Sequence, residues 1–447
     1  MNMATTLPLP PTHTSEREES LVGNYFVAAY PPFSSWTASA THAIDGVTLK
    51  PLSAPEPLGI YVHIPFCEKK CDYCYYLSYV GQRPATVSRY LDSVVQELEL
   101  YARRPAVNGR PLAFVYFGGG TPSILTNDQL QRLSSGLQAV LSWDGVPEVT
   151  FECAPRSVRR ELLEQLRAIG VTRLSMGVQS FDDHLLKLNG RIHLAEDVYR
   201  AYNLIREVGF DWVNLDLMVG LIGETPEQWR DSVNRILDLR PESITVYQTE
   251  IPYNTLLYKH LSQGCLPASP VSWEIKRWRL DEAFSHLERA GYTVVSAYAA
   301  VRDPDHHRFQ YQEHLWRGGD MLGLGVASFS YLQGLHFQNQ VTFDRYCDDI
   351  ARGVFPLKRA YELTLHDQLV REFILQLKFG EVSVPAFQEE FGVDIRKEFE
   401  QPLYTLMAEG YLTCTPRAVQ LTCQGLLQAD RLLPLLYDPK FKDARYC

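Results

Sequence analysis

Long apolar runs are missing from this 447-residue chain. No stretch approaches the roughly 18 to 20 residues needed to cross a bilayer, so no membrane span is expected. Positive charge is also in short supply. The 43 Lys and Arg against 53 Asp and Glu leave a formal net charge of -10, which argues against a general nucleic-acid binder because phosphate neutralisation needs a basic face. Cysteine is scarce: nine residues, irregularly spaced, are too few for a disulfide framework, and no positively charged, apolar signal segment opens the sequence. A reducing, cytoplasmic compartment is the expectation. Apolar residues make up 45% of the chain, enough for ordinary cores, and the length implies two or three structural units.

Three of the cysteines stand apart from the rest. Cys67, Cys71 and Cys74 lie in Tyr61-Val-His-Ile-Pro-Phe-Cys67-Glu-Lys-Lys-Cys71-Asp-Tyr-Cys74, a C-x3-C-x2-C run just after an apolar, strand-like segment. A zinc site usually shows two C-x2-C or C/H pairs, but Cys153, Cys265, Cys347, Cys414, Cys423 and Cys447 are scattered. Three thiolates can hold three irons of a [4Fe-4S] cluster, and Tyr75 and Tyr76 follow in place of a fourth ligand, leaving one iron open. That iron can be chelated by the amino and carboxylate groups of S-adenosylmethionine (SAM). An electron passed to the sulfonium then cleaves a C–S bond and gives a 5'-deoxyadenosyl radical. The run therefore predicts a [4Fe-4S] cluster and SAM as cofactors, radical chemistry on a small-molecule substrate, and a low-potential electron donor of the flavodoxin or ferredoxin type.

Along the chain, residues 1 to about 20 are rich in Pro, Thr, Ser and charge and read as a loose tail. An aromatic, Pro-fixed arm follows, from Asn24 through Tyr30-Pro31-Pro32-Phe33 to Trp36, shaped to lie over a cavity or a domain face. From residue 58, β-rich runs at 59–64, 113–117, 148–152, 172–178, 213–219 and 244–248 alternate with helical patterns such as Leu91, Val94, Val95, Leu98 and Tyr101. That alternation is the signature of parallel strands joined by crossover helices. Gly170, Gly209 and Gly291 end three of the helical patterns, where a left-handed residue is cheapest as glycine. A sheet closing partly into a barrel places its active site at the strands' C-terminal ends, where Cys67 falls. Residues 360–447 read as short helices with a strand pair, a winged-helix-like unit. The organisation expected is thus 1–57 tail and arm, 58–335 a partial (β/α)6 barrel and 336–447 a mostly helical C-terminal domain.

Further runs add to the cysteines: Phe117-Gly-Gly-Gly120-Thr121-Pro122-Ser123, Phe151-Glu152, Gly177-Val-Gln179-Ser-Phe181, Asn189-Gly-Arg191-Ile-His193, Asp216-Leu-Met-Val-Gly220-Leu221 and Gly323-Leu-Gly-Val-Ala-Ser328. Together they resemble the HemN-like radical SAM family, over about residues 24 to 440. This family contains oxygen-independent coproporphyrinogen III dehydrogenases, haem chaperones and class C radical SAM methyltransferases and cyclopropanases. The resemblance implies an α/β radical SAM barrel with one or two SAM molecules contacted by Tyr61, Gly119, Gly120, Thr121, Glu152, Gln179, Arg191 and Asp216. The residue types suit those roles. A glycine run lets backbone approach a ligand, Glu152 and Asp216 can accept from an ammonium or hydroxyls, and Arg191 can neutralise a carboxylate.

Within the family, the dehydrogenases carry a further cysteine where this chain has Tyr76, while its arm resembles their N-terminal extension. The leading expectation is class C chemistry, methylation or cyclopropanation of an sp2 carbon from a second SAM. Coproporphyrinogen III dehydrogenation and haem carriage are the alternatives. Tyr247, Glu250, His306, His307 and His314 are candidate proton-handling or substrate residues. The cysteine run itself is testable: anaerobic reconstitution should load about four irons per chain. A Cys67→Ala, Cys71→Ala, Cys74→Ala variant should load almost none, and retention of the iron would refute the assignment.

Overall fold

The computed structural model describes residues 30–52, 54 and 56–441. The expected tail over 1–20 and the first part of the arm, 24–29, lie outside them. Six strands alternate with helices: β1 (Leu58–Ile64), β2 (Leu112–Gly119), β3 (Val149–Cys153), β4 (Arg173–Gln179), β5 (Trp212–Val219) and β6 (Ser243–Gln248). The helices are α1 (Pro84–Ala102), α2 (Asn127–Val140), α3 (Arg160–Ala168), α4 (Ala195–Val208), α5 (Pro226–Leu239) and α6 (Trp273–Arg289). Each strand pairs in parallel with the next, as the alternation of patterns requires.

Local chemistry explains where the helices begin and end. Thr126 and Thr225 start α2 and α5 with capping boxes, each hydroxyl accepting from the backbone three residues on and satisfying an otherwise orphaned donor. Gly170, Gly209 and Gly291 all hold φ near +90° at +93, +89 and +89, the conformation expected after a helix. Leu91, Val94, Leu98 and Tyr101 on α1 and Leu130, Leu133 and Leu137 on α2 are buried against the sheet, which is the purpose of their helical spacing.

The sheet curls. Strands are spaced about 4.8 Å apart, so β2 and β6 would sit roughly 19 Å apart if it were flat. Yet Tyr247 on β6 is near enough to bear on the Tyr116 phenol of β2, and Glu152 on β3 acts on both. Alternate residues of these strands therefore face one shared interior, as in a barrel left open on one side.

Beyond β6, β7 (Ala299–Val301) adds antiparallel to it. On the other side, β8 (Met321–Leu324) pairs in parallel with β1, and β9 (Phe329–Leu332), β10 (Leu335–Asn339) and β11 (Leu357–Glu362) continue antiparallel. The sheet thus runs on past residue 335 to Glu362. The C-terminal helices Leu365–Leu377, Val384–Phe391, Ile395–Glu398 and Glu400–Ala408 surround a small antiparallel sheet of Glu381–Ser383, Ala418–Leu421 and Leu412–Cys414. Ile395–Glu398 and Glu400–Ala408 are separate helices, with Phe399 between them.

The described part of the arm lies on the sheet extension and the C-terminal helices. Phe33 stacks on Phe329 at 4.3 Å and Trp36 on His336 at 4.9 Å, while Tyr30 meets Tyr437 at 5.1 Å and Phe441 at 5.6 Å. It covers a domain face. Between the sheet and its helices, Phe117 is fully buried, with Phe151 at 5.5 Å and Trp143 at 5.9 Å. Phe117→Ala should lower the unfolding free energy by about 3 to 5 kcal/mol, measured by denaturant titration. A loss below about 1 kcal/mol would contradict this packing account.

Candidate cluster and cofactor site

The chain leaves β1 at the C-terminal edge of the sheet. Phe66–Cys67 pairs with Tyr79–Val80 and closes the cysteine loop at its base. Its far side is pinned by hydrogen bonds from the Leu257 amide to the Asp72 carbonyl at 2.8 Å and from Asn254 Nδ2 to the Tyr75 carbonyl at 3.3 Å. The sulfurs have donors. Thr121 Oγ1 lies 3.6 Å from Cys67 Sγ, and Arg191 donates to Cys71 Sγ at 3.3 Å while its other nitrogen donates to the Gly177 carbonyl at 2.8 Å. Burial pushes the Cys74 thiol up to about 11 and raises Cys67 as well, so without a metal both favour the protonated form.

Below the loop, two carboxylates face the barrel interior. Glu152 accepts from Tyr116 OH at 2.6 Å and from the Gly119 amide at 3.1 Å. Asp216 accepts from Asn214 Nδ2 at 2.7 Å, and burial followed by the Glu152 charge pushes its carboxyl up to about 7. Gly119 has φ +111, and a Cβ there would come within 2.4 Å of the His63 ring; one on Gly120 would come within 2.7 Å of the Ile64 and Phe66 carbonyls. Larger residues are thereby excluded from this turn. Gln179 takes φ +69 at a register shift between β4 and β5, a bulge that re-aims a side chain at the end of a strand. Its Oε1 and the Nε of Arg191 are buried without partners, as is appropriate where a ligand supplies the missing groups. Tyr61 stacks on Tyr116 at 5.7 Å, and its hydroxyl lies 3.3 Å from His63 Nδ1.

The structure brings Tyr61, Gly119, Gly120, Thr121, Glu152, Gln179, Arg191 and Asp216 to the same end of the strands as Cys67, Cys71 and Cys74. Tyr247 joins them: it is 39% exposed, yet burial and the Asp216 and Glu152 charges hold its phenol well above the ordinary range, so its exposed surface faces a recess. The other candidates lie elsewhere. Glu250 follows β6 and acts on Tyr298 and Lys378 towards the C-terminal helices. His314 sits at the opposite end of the strands, its Nε2 bonded to the Asp320 carbonyl at 2.8 Å. His306 bonds Asp303 at 2.8 Å, and His307 lies by Trp212 at the start of β5. Tyr116 and Tyr311, whose rings approach to 4.9 Å inside the barrel, and Arg173 were not foreseen. Period-two phasing through Gly118 and Glu152 could have found Tyr116, while Tyr311 comes from a segment beyond the barrel with no such signal.

Comparison with known proteins accords with this geometry. The profile of the Radical SAM superfamily matches residues 61–236 and that of the HemN C-terminal domain residues 363–427. The heme chaperone HemW of Bacillus subtilis is 33% identical over 377 residues, 83% of this chain and 97% of that protein. The chain belongs to the HemN-like radical SAM family. The oxygen-independent coproporphyrinogen III oxidase of Salmonella typhimurium is 29% identical, covering 83% of each chain. The solved coproporphyrinogen III oxidase (HemN) from Escherichia coli superposes with a TM-score of 0.80 at 26% identity, covering 92% of this chain and 96% of that one. These relatives lend no support to methyl or methylene transfer as the reaction.

HemN-like proteins use a [4Fe-4S] cluster and SAM, and the residues here fit both. The three thiols stand with the Thr121 and Arg191 donors at the sulfurs. Among the described residues no three His, Cys, Asp or Glu side chains are close enough to share a single ion, whereas cluster thiolates each bind a separate iron. Cys67, Cys71 and Cys74 would hold the cluster; Glu152, Gln179, Arg191 and Asp216, with the Gly119–Gly120 backbone, would hold SAM. No helix among the described residues is long and apolar enough to cross a membrane. Were Asp216 to pair with the SAM ammonium it would do so as a carboxylate, and its carboxyl is protonated below about 7, so SAM affinity should rise as pH increases through that value. Equilibrium dialysis against reconstituted protein checks this, and an affinity independent of pH would contradict it.

Proposed function

We propose that this protein is a radical SAM enzyme of tetrapyrrole metabolism, acting as an oxygen-independent coproporphyrinogen III oxidase does: it removes a hydrogen atom from a propionate side chain, and the substrate radical then loses carbon dioxide and gives up one electron to a one-electron acceptor, leaving a vinyl group. The observation that carries this reading is the likeness to the solved coproporphyrinogen III oxidase across 96% of that chain, which extends well beyond the cysteine loop. When bound, the cluster and SAM supply the radical that abstracts hydrogen.

The chain's own residues do the rest. Glu152 and Asp216 orient the cofactor from below, Arg191 supplies positive charge beside Cys71, and the rings of Tyr61, Tyr116 and Tyr311 close the floor of the recess. Tyr76 and Tyr247, 45% and 39% exposed, offer ring faces to a broad, flat substrate. Burial raises the phenols of Tyr61, Tyr116 and Tyr247 well above their ordinary range, so they donate hydrogen bonds and do not serve as bases at neutral pH. An electron donor of the flavodoxin or ferredoxin type and a cytoplasmic location complete the proposal.

A second reading, a haem chaperone, is supported by the HemW relative, of which this chain covers 97%, and by Tyr76 at the place of the dehydrogenases' further cysteine. One assay separates them. Reconstituted protein with SAM, a strong reductant and coproporphyrinogen III should form 5'-deoxyadenosine together with a decarboxylated porphyrinogen, both read by mass spectrometry. No deoxyadenosine, with stoichiometric haem binding, would overturn the oxidase in favour of the chaperone. S-adenosylhomocysteine forming alongside deoxyadenosine would instead restore methyl transfer from a second SAM.

A further inference from the structure

Arg173 opens β4, in phase with Ser175, Gly177 and Gln179, and its side chain points into the barrel beneath the carboxylate pair. It is 3% exposed. The guanidinium lies 4.0 Å above the Phe309 ring and 5.5 Å from that of Trp212, and its Nε and Nη1 are buried without hydrogen-bond partners. Among the described residues it makes no ion pair, although Glu148, Glu152 and Asp216 share the interior with it and all three feel its charge. Glu148 spends its oxygens elsewhere, on Thr150 Oγ1 at 2.8 Å and the Gln310 amide at 3.0 Å.

A buried guanidinium without a bonded carboxylate is costly to keep. Aromatic stacking offsets part of that cost. The remaining compensation is the field of three carboxylates, and the dependence is mutual: two acids facing each other in a low-dielectric interior cannot both stay ionised without a nearby cation. We propose that Arg173 is a positioning residue for cofactor binding, the buried counter-charge that keeps Glu152 and Asp216 as carboxylates for the ammonium and hydroxyl groups of SAM. This rests on the reading of Glu152 and Asp216 as SAM contacts.

Other groups facing the pair are accounted for. Tyr61 comes from β1, Tyr116 from β2, Tyr247 from β6, and Tyr76 and Tyr311 from connecting segments. Burial raises these phenols, so they remain neutral while the acids titrate. Arg191 also acts on Asp216, but its two terminal nitrogens are committed to Cys71 and Gly177.

The test is the pH profile of SAM binding to the reconstituted protein, by equilibrium dialysis, for the wild type, Arg173→Gln and Arg173→Lys, with circular dichroism to check folding. Arg173→Gln should move the midpoint up by about one pH unit, weakening binding on the order of tenfold near neutrality and recovering towards about pH 9. Arg173→Lys should keep the wild-type midpoint. A wild-type profile for Arg173→Gln, or a loss of affinity equal at every pH, would overturn the proposal. Should Arg173→Gln fail to fold, Arg173→Met, which keeps an apolar stem without the charge, takes its place: a midpoint raised by about one pH unit supports the counter-charge role, and an unmoved one overturns it. Glu152→Gln and Asp216→Asn, run alongside, separate the two levels: if both bind SAM as tightly as the wild type, the cofactor reading itself has failed.

Discussion

The parallel direction of β1 to β6 is the constraint on which the site depends. Because those strands run the same way, their C-terminal ends share one edge, and side chains distant in sequence converge there. Cys67 just beyond β1, Gly119 at the end of β2, Glu152 near the end of β3, Gln179 at the end of β4 and Asp216 in β5 meet for that reason alone. Reversing any one strand would carry its contribution to the opposite end, where His314 and His307 now lie. The curl adds the second requirement: it turns one face of the sheet into an interior in which Glu152 and Asp216 sense each other and the tyrosines around them.

That interior is electrostatically expensive. Burial lifts the Asp216 carboxyl from 3.8 to about 7. Between those values the folded chain holds a proton that the unfolded chain has released, so this group's contribution to stability falls as pH rises through the window. A cationic ligand that binds the ionised form restores the loss by mass action. Stability is thus given up where binding needs charge. The unpartnered atoms of Gln179 and Arg191 follow the same logic, being costs that only a bound molecule removes.

Much of this was legible in the sequence. The six strand runs match the six parallel strands to within one or two residues at their ends, since buried β-rich segments alternating with amphipathic helices admit few arrangements. The cysteine run and the glycine turn were legible because chemistry fixes their residue types. The histidines were not: His314 is tied to a backbone carbonyl, and nothing in its local sequence tells a ligand from a buttress. Arg173 and Tyr311 escaped for a different reason. Their importance comes from the curl of the sheet and from the segment that closes its lower end, both products of tertiary packing. The two strands after residue 335 were hidden because antiparallel additions to a sheet edge carry no crossover helix to announce them.

Cys67, Cys71 and Cys74 would hold a cluster with one iron left for SAM. Electron paramagnetic resonance of the reduced, reconstituted protein with and without SAM decides whether they do. A [4Fe-4S] signal should appear and change shape when SAM is added, as expected if SAM binds at the cluster. An intact cluster with an identical spectrum in the presence and absence of saturating SAM would contradict it.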